Sequence, residues 1–205
     1  IRLQGQLFKD DPRVEQLYMG GGIPTFLNHS QLNSVMNEIQ QNFNLIKEGE
    51  FCIEIDSSQI NNHSMAALIE MGFNCAIIGV QDFDHQVPQS IRCIQTEETT
   101  LRTIFSAQQA GFKSIKIELT YGLPKQSLET FEDTLEKIIS TYPNQISLLN
   151  YPCLFGKLKP QHNFNREDLP DTETIIAMMS SAIGRLTSAG YVHIGMNLFA
   201  KHEDS

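Results

Sequence analysis

The sequence predicts an α/β fold in which parallel strands form a partial, TIM-like barrel of the (β/α)6 type. Apolar segments with the character of buried strands alternate with amphipathic helices along the 205 residues, a pattern typical of parallel sheets. One combination occurs three times: an apolar helix face, a glycine, an aromatic residue and a strand, in MGFNCAIIGVQ, AGFKSIKIEL and AGYVHIGMNLF. The repeating unit is therefore one strand and one helix, and we expect residues 1–205 to form a single partial-barrel domain.

The first elements follow from hydrophobic periodicity. The segment VEQLYM is a strand that ends at Gly20, and Ser30 is a suitable N-cap for the helix that follows. FCIEID is the next strand, and a helix comes after it at about Met65 to Met71. The helix that begins near Ser30 places its apolar residues on one face: Leu32, Val35, Met36, Ile39 and Phe43.

Glycines mark the ends of three later helices. Gly72, Gly111 and Gly190 stand where a helix needs a left-handed residue just past its last turn. The aromatic residues that cover these helix ends are Phe73, Phe112 and Tyr191. Another helix, around Phe131, Leu135 and Ile138, and the strand QISLLNY complete the alternation. We therefore predict six strands, with a longer loop after the fifth.

Composition excludes several kinds of protein. The formal net charge of -9 argues against a surface for nucleic acid or an anionic membrane, because both require clustered Lys and Arg. No apolar run is long enough to span a bilayer and no signal peptide is recognised, so we expect a cytoplasmic protein. The four cysteines and six histidines have no metal-ligand spacing. We predict reduced, buried thiols and no metal site.

Polar residues collect where the predicted strands end. In a parallel sheet these ends share one edge, and ligands bind there. Three glycines follow the first strand, and Glu54, Gln81 and Glu118 lie at the ends of later ones. Two carboxylates and an amide around a glycine-lined floor suit a small polar ligand such as a ribose or an amino acid. Solvated loops and helix caps contain the same residue types, and the sequence leaves that alternative open.

Six segments resemble the oxygen-independent coproporphyrinogen III oxidases, a family of radical S-adenosylmethionine (SAM) enzymes. They follow the family's order over nearly the whole chain: GGGIPTFL, IEID, GFNCAIIGVQDFD, IELTYGLPKQS, ISLLNYPCL and GYVHIGMNLFA. The resemblance implies a partial barrel that holds a [4Fe-4S] cluster and two SAM molecules. It also implies an oxidoreductase of heme (porphyrin) biosynthesis that converts two propionates of a small-molecule porphyrinogen, coproporphyrinogen III, to the vinyl groups of protoporphyrinogen IX.

The resemblance also indicates which residues contact the cofactor. Glu54 and Gln81 would make polar contacts, Glu118 stands where the family has Asp, and Pro152 stands where it usually has Ala. The full set at cofactor-binding positions is Gly20, Gly21, Gly22, Ile23, Glu54, Gln81, Glu118 and Pro152. The catalytic residues stay unassigned.

Five positions depart from the family's pattern and predict weaker cofactor binding. They are Ile23, Cys93, Glu118, Asn197 and Leu198. Ile23 replaces a threonine and removes a hydroxyl. Cys93 replaces an arginine, with Arg92 one residue early, and the last two residues replace an Asp-His pair.

The family holds its cluster with Cys-x-x-x-Cys-x-x-Cys, upstream of the first strand predicted here. We therefore expect the cluster ligands and the strand that carries them to be absent from this chain, which alone would be inactive. Two hypotheses remain: the central piece of an oxidase, or a degenerate homologue or fragment that binds a porphyrin or nucleoside without turnover. A third, a cluster rebuilt from the four cysteines, is disfavoured because they lie on separate strands.

Overall fold

The computed structural model describes residues 1–8, 13–57, 62–87, 95–152 and 165–202. In these ranges seven strands form one curled, mostly parallel half-barrel. The strands are β1 (Arg13–Met19), β2 (Asn44–Ile55), β3 (Cys75–Val80), β4 (Ser114–Tyr121), β5 (Gln145–Asn150), β6 (Val192–Gly195) and β7 (Leu198–Ala200). The α/β partial barrel predicted from the sequence is confirmed, with seven strands instead of six.

Helices connect the strands and cover one face of the sheet. Those in the described ranges are α1 (Arg2–Gly5), α2 (His29–Asn42), α3 (Asn62–Glu70), α4 (Glu97–Ala110), α5 (Leu128–Ser140) and α6 (Thr172–Ser188). Short 3-10 helices occupy Pro24–Phe26 and Arg166–Asp168. Among the helices in this part of the chain, none has the length and apolar character needed to cross a bilayer.

The last segment of the sheet differs from the prediction. The sheet order is β1-β2-β3-β4-β5-β7-β6, and β1 to β5 run parallel. GYVHIGMNLFA forms a hairpin instead of one strand, because the chain reverses at Gly195 and Met196, which have φ of 151° and 52°. As a result β7 lies antiparallel between β5 and β6.

The start of α2 also differs from the prediction. Asn28 is the N-cap, two residues before Ser30. Its side-chain oxygen accepts a hydrogen bond from the Gln31 amide at 3.0 Å, and the Gln31 side chain accepts one from the Asn28 amide at 3.0 Å. This reciprocal capping box satisfies the backbone amides of Asn28 and Gln31 at the start of the helix.

The three predicted helix-ending glycines are confirmed. Gly72, Gly111 and Gly190 have φ of 103°, 93° and 89°, values that residues with a side chain rarely adopt. The amide of each following aromatic residue donates to a carbonyl in the last helical turn at 3.0–3.2 Å, as in a Schellman motif. Those aromatic side chains, Phe73, Phe112 and Tyr191, are buried.

The two faces of the sheet have different contents, because side chains alternate along a strand. On β2, Phe51, Ile53 and Ile55 belong to the large core beneath the helices. Cys52 and Glu54 lie on the opposite face, here called the inner face. Cys52, Cys75 and Ile77 form a small apolar cluster of their own there. The inner face therefore carries the polar and reactive groups.

Candidate functional site

The loop after β1 contains three glycines that differ in what surrounds them; residues 20–22 are called the glycine cradle below. A Cβ on Gly20 would lie 2.4 Å from Glu54 Oε1 and 2.5 Å from Tyr18 Cε1, so a larger residue would force both side chains to move. Gly21 has φ of 83°. A Cβ on Gly21 or Gly22 would meet nothing within 4 Å. The cradle therefore borders open space.

Tyr18 holds the Glu54 carboxylate at the edge of this space. Its phenol donates a hydrogen bond to Glu54 Oε1, and this bond raises the pKa of Tyr18. Tyr18 was not identified from the sequence. The signal was available, because Tyr18 is two residues before Gly20 and strand alternation places both on the inner face.

Glu118 brings a second carboxylate to the same region. It lies on β4, paired with Gly79 of β3. Burial, and then the charge of Glu54, raise the pKa of Glu118. Because Gly79 has no side chain, its position beside Glu118 is open, and the nearest atom to a Cβ there would be Gln81 Nε2 at 4.0 Å. Two like charges across a gap favour a ligand with positive charge or with hydroxyl donors.

The other predicted site residues lie along the same edge of the sheet. Gln81 directly follows β3 and is half-buried, whereas Ile23 and Pro152 are exposed on the loops after β1 and β5. The loop that carries Ile23 is tied to β2, since the Asp56 amide donates to Thr25 Oγ1 at 3.3 Å. Glu54 and Glu118 interact through their charges, Gly20 lies against Glu54, and the remaining predicted residues share only the same edge of the sheet.

The departures from the family's pattern have different structural settings. Arg92 and Cys93 lie outside the described residues. Asn197 has a structural role: its side-chain amide donates to the Leu148 carbonyl at 2.9 Å, and its own carbonyl accepts from the Leu148 amide at 2.9 Å. Leu198 pairs with Ser147 of β5. These two replacements therefore hold the hairpin to the sheet.

Asp82 follows Gln81 at the end of β3, and the structure gives it a structural role. Its carboxylate is buried, and the pKa of Asp82 is raised by that burial. It accepts hydrogen bonds from Gln126 Nε2 at 2.8 Å and from the hydroxyls of Thr130 and Thr134 at 3.3 Å. Asp82 therefore fixes α5 and the loop before it to the end of β3.

A second polar group lies on the inner face toward the amino-terminal ends of β3 and β4. Ligand atoms of Glu50, Cys52 and Cys75 all lie within 4.8 Å of one another, and Lys116 Nζ lies 2.7 Å from Glu50 Oε1. Both cysteines are free and buried, and for these two the predicted burial is confirmed. The adjacent Cys52 thiol and burial raise the pKa of Cys75. The other two cysteines, 93 and 153, lie outside the described residues.

Comparisons with known proteins agree on the family. The profile of the Radical SAM superfamily matches residues 2–138. Oxygen-independent coproporphyrinogen III oxidase from Pseudomonas aeruginosa is 38% identical over 193 residues, which are 93% of this chain and 42% of that protein. The enzyme of that name from Salmonella typhimurium is 36% identical over 204 residues, 100% of this chain and 44% of that protein.

Solved structures extend the comparison to the fold. Coproporphyrinogen III oxidase (HemN) from Escherichia coli, described as a radical SAM enzyme, superposes with a TM-score of 0.90 at 35% identity. The match covers 94% of this chain and 44% of that chain. The chain thus spans less than half the length of the relatives it matches. Because the superfamily profile covers most of its residues, the chain belongs to the radical SAM superfamily.

Proposed function

We propose that the protein is an oxygen-independent coproporphyrinogen III oxidase and that the described residues form its SAM-binding half-barrel. The observation that carries the proposal is the match to enzymes of that name, at 31–38% identity over 93% or more of this chain. The proposed domain is the single unit 1–205. The substrate would be a porphyrinogen, with no nucleic-acid or membrane partner. Buried, unpaired thiols are consistent with a reducing cytoplasm.

The inner-face residues fit SAM. The open space above Gly21 and Gly22 lets a ligand approach the backbone closely, which a side chain would prevent. The carboxylates of Glu54 and Glu118 face the same region and repel each other. A cofactor with an ammonium group, a sulfonium centre and ribose hydroxyls would relieve that repulsion. Gln81 would add an amide donor and acceptor at the end of β3.

The residues of this chain would bind and orient the cofactor. SAM and a reduced [4Fe-4S] cluster together supply one-electron hydrogen abstraction. Tyr18 fixes one oxygen of Glu54 through its hydrogen bond, leaving the second oxygen for the ligand. The described thiols, Cys52 and Cys75, do not fit the cluster, because a cluster needs three or four close thiolates. No step through a cluster is assigned to this chain.

The binding step is tested by calorimetric titration of the chain with SAM, beside Glu54→Ala. A dissociation constant in the micromolar range corresponds to a binding free energy of about -8 kcal/mol. Glu54→Ala should bind SAM much more weakly, because one carboxylate is removed. Gln145→Ala, at the far end of β5, is the matched control and should bind as the wild type does. No detectable heat with the wild type would contradict the binding proposal.

The activity is tested on the full-length protein. After anaerobic reconstitution of the cluster, it should convert coproporphyrinogen III to protoporphyrinogen IX when SAM and a reductant are present. SAM binding without turnover by a reconstituted full-length protein would instead support the non-catalytic homologue.

A further inference from the structure

A second site on the inner face has no part in the proposed cofactor binding. Cys52 and Cys75 occupy paired positions on β2 and β3. Glu50 lies two residues before Cys52 and therefore on the same face. We propose that the two thiolates and the Glu50 carboxylate bind one soft divalent cation of the zinc class, with Lys116 as the charge-balancing neighbour.

The distances suit such an ion. The ligand atoms of the three residues lie within 4.8 Å of one another. Bonds of about 2.3 Å to sulfur and about 2.0–2.2 Å to oxygen put tetrahedral ligands roughly 3.5–3.8 Å apart. Side-chain movements of about 1 Å would close the difference, and the backbone register already fixes the two cysteines opposite each other. Three protein ligands leave a fourth position for water.

The charges also balance. Two thiolates and one carboxylate carry three negative charges, of which a divalent ion neutralises two. The Lys116 ammonium, 2.7 Å from Glu50 Oε1, supplies the third positive charge. Charge neutrality matters here because unpaired buried charges are costly. When the ion binds, the two thiol protons leave to solvent.

The ligand types favour one kind of ion, and the exposure of the side chains indicates its route of entry. Thiolates favour zinc and other soft cations over magnesium or calcium, which prefer oxygen. Cys52 and Cys75 are 4% and 0% exposed, whereas the Glu50 and Lys116 side chains are 37% and 21% exposed. An ion would therefore enter past the ion pair and reach the thiols last.

A disulfide is the alternative use of the same two sulfurs. It would explain the paired cysteines, but it gives no role to the carboxylate or the ammonium beside them. The ion uses all four groups, and the observations therefore favour it. The disulfide becomes an outcome of the test.

The experiment uses the chain stripped of metal and kept reduced, titrated separately with Zn²⁺ and Co²⁺. Cys93→Ser/Cys153→Ser is the background variant, since it leaves Cys52 and Cys75 as the only thiols. We expect it to bind one Zn²⁺ per chain and to show the thiolate-to-cobalt charge-transfer band. Adding Cys75→Ser should abolish the band and lower zinc affinity by more than about 100-fold, because even outer-shell partners are worth about 10- to 100-fold.

Two further variants separate ligand loss from unfolding. Glu50→Gln keeps the size of a partly exposed side chain and should weaken zinc binding while leaving the circular dichroism spectrum unchanged. Glu48→Gln removes an exposed carboxylate of the same strand and should leave zinc binding unchanged. The proposal is overturned if the background variant shows no charge-transfer band, if Cys75→Ser keeps it, or if mild oxidation forms the disulfide equally well with and without zinc.

Discussion

Alanine at each position of the glycine cradle should produce three different outcomes. Gly22→Ala adds a methyl group that meets no protein atom within 4 Å. Gly21→Ala meets no atom either, but its φ of 83° is unfavourable for alanine. Gly20→Ala would place a methyl group 2.4 Å from Glu54 Oε1 and 2.5 Å from Tyr18 Cε1. The series therefore separates space for a ligand, backbone conformation and side-chain packing.

The expected stability changes follow from these surroundings. Gly22→Ala should increase the free energy of unfolding by about 0.4–1 kcal/mol, because it restricts the unfolded chain without strain in the folded one. Gly21→Ala should lower it by about 1–2 kcal/mol, the cost of a left-handed residue with a side chain. Gly20→Ala should lower it by about 1–3 kcal/mol through overpacking, with the lower values favoured because the ends of two side chains can move.

Two assays on each variant complete the test. Urea denaturation gives the stability change, and calorimetric titration with SAM gives the binding change. Gly22→Ala is the decisive variant, because it should be stable yet bind SAM at least tenfold more weakly, a loss of about 1.4 kcal/mol. If Gly22→Ala binds SAM as tightly as the wild type, the open space is not the cofactor site and the reasoning fails.

Three further changes test particular interactions. Glu118→Gln should raise the melting temperature most at neutral pH. The pKa of Glu118 is raised by burial and by Glu54, so the protonated side chain stabilises the wild-type fold below the ordinary glutamate pKa. This stabilisation is lost as the pH rises through the pKa of the folded state. Parallel melting profiles of variant and wild type across acid and neutral pH would contradict this. Tyr191→Phe removes a hydroxyl that donates to the Pro143 carbonyl at 2.7 Å and should cost about 1 kcal/mol in urea denaturation, whereas an unchanged midpoint would show that the bond contributes nothing. Asn74→Ala removes the side chain that accepts from the Phe51 amide at 2.9 Å and donates to the Gly49 carbonyl at 2.8 Å. This should lower the free energy of unfolding by about 1–3 kcal/mol. Asn74→Asp keeps only the acceptor, and its free energy of unfolding should lie between those of Asn74→Ala and the wild type.

Local signals predicted most of the fold. The alternation of strands and helices, and the glycine with its following aromatic residue, depend on neighbours in sequence. The left-handed conformation of Gly111 and the burial of Phe112 are both as expected. The cap of α2 was misplaced because Asn28 and Ser30 are both good capping residues, and the choice depends on the reciprocal bonds of Gln31.

The final hairpin could not be predicted in the same way. The segment has the apolar pattern of a strand, and the positive φ of Met196 gives no signal in the sequence, because methionine rarely adopts it. The antiparallel pairing of Ile146 with Phe199 joins residues far apart in the chain. Tertiary contacts decided this part of the topology.

The site was predictable only in part, because some of it also depends on tertiary contacts. The strand-end positions of Glu54 and Glu118 predicted that both carboxylates share one edge of the sheet, and the electrostatic coupling between them agrees with that prediction. Cys52 and Cys75 were predicted as separate buried thiols because they are 23 positions apart, whereas strand register places them opposite each other. Register between parallel strands is set by packing across the whole sheet, which no short motif reveals.

The position of β7 has a consequence for how the chain folds during synthesis. β5 can pair with β4 as soon as it leaves the ribosome, but its other edge stays open until the turn at Met196 has formed and Phe199 can reach Ile146. Open strand edges are prone to pair with other chains. α6, which lies between β5 and the hairpin in sequence and packs on α5, is synthesised before the hairpin and lengthens the time for which this edge stays open. Slow synthesis through residues 172–200 should favour aggregation, and fast synthesis should favour the native sheet.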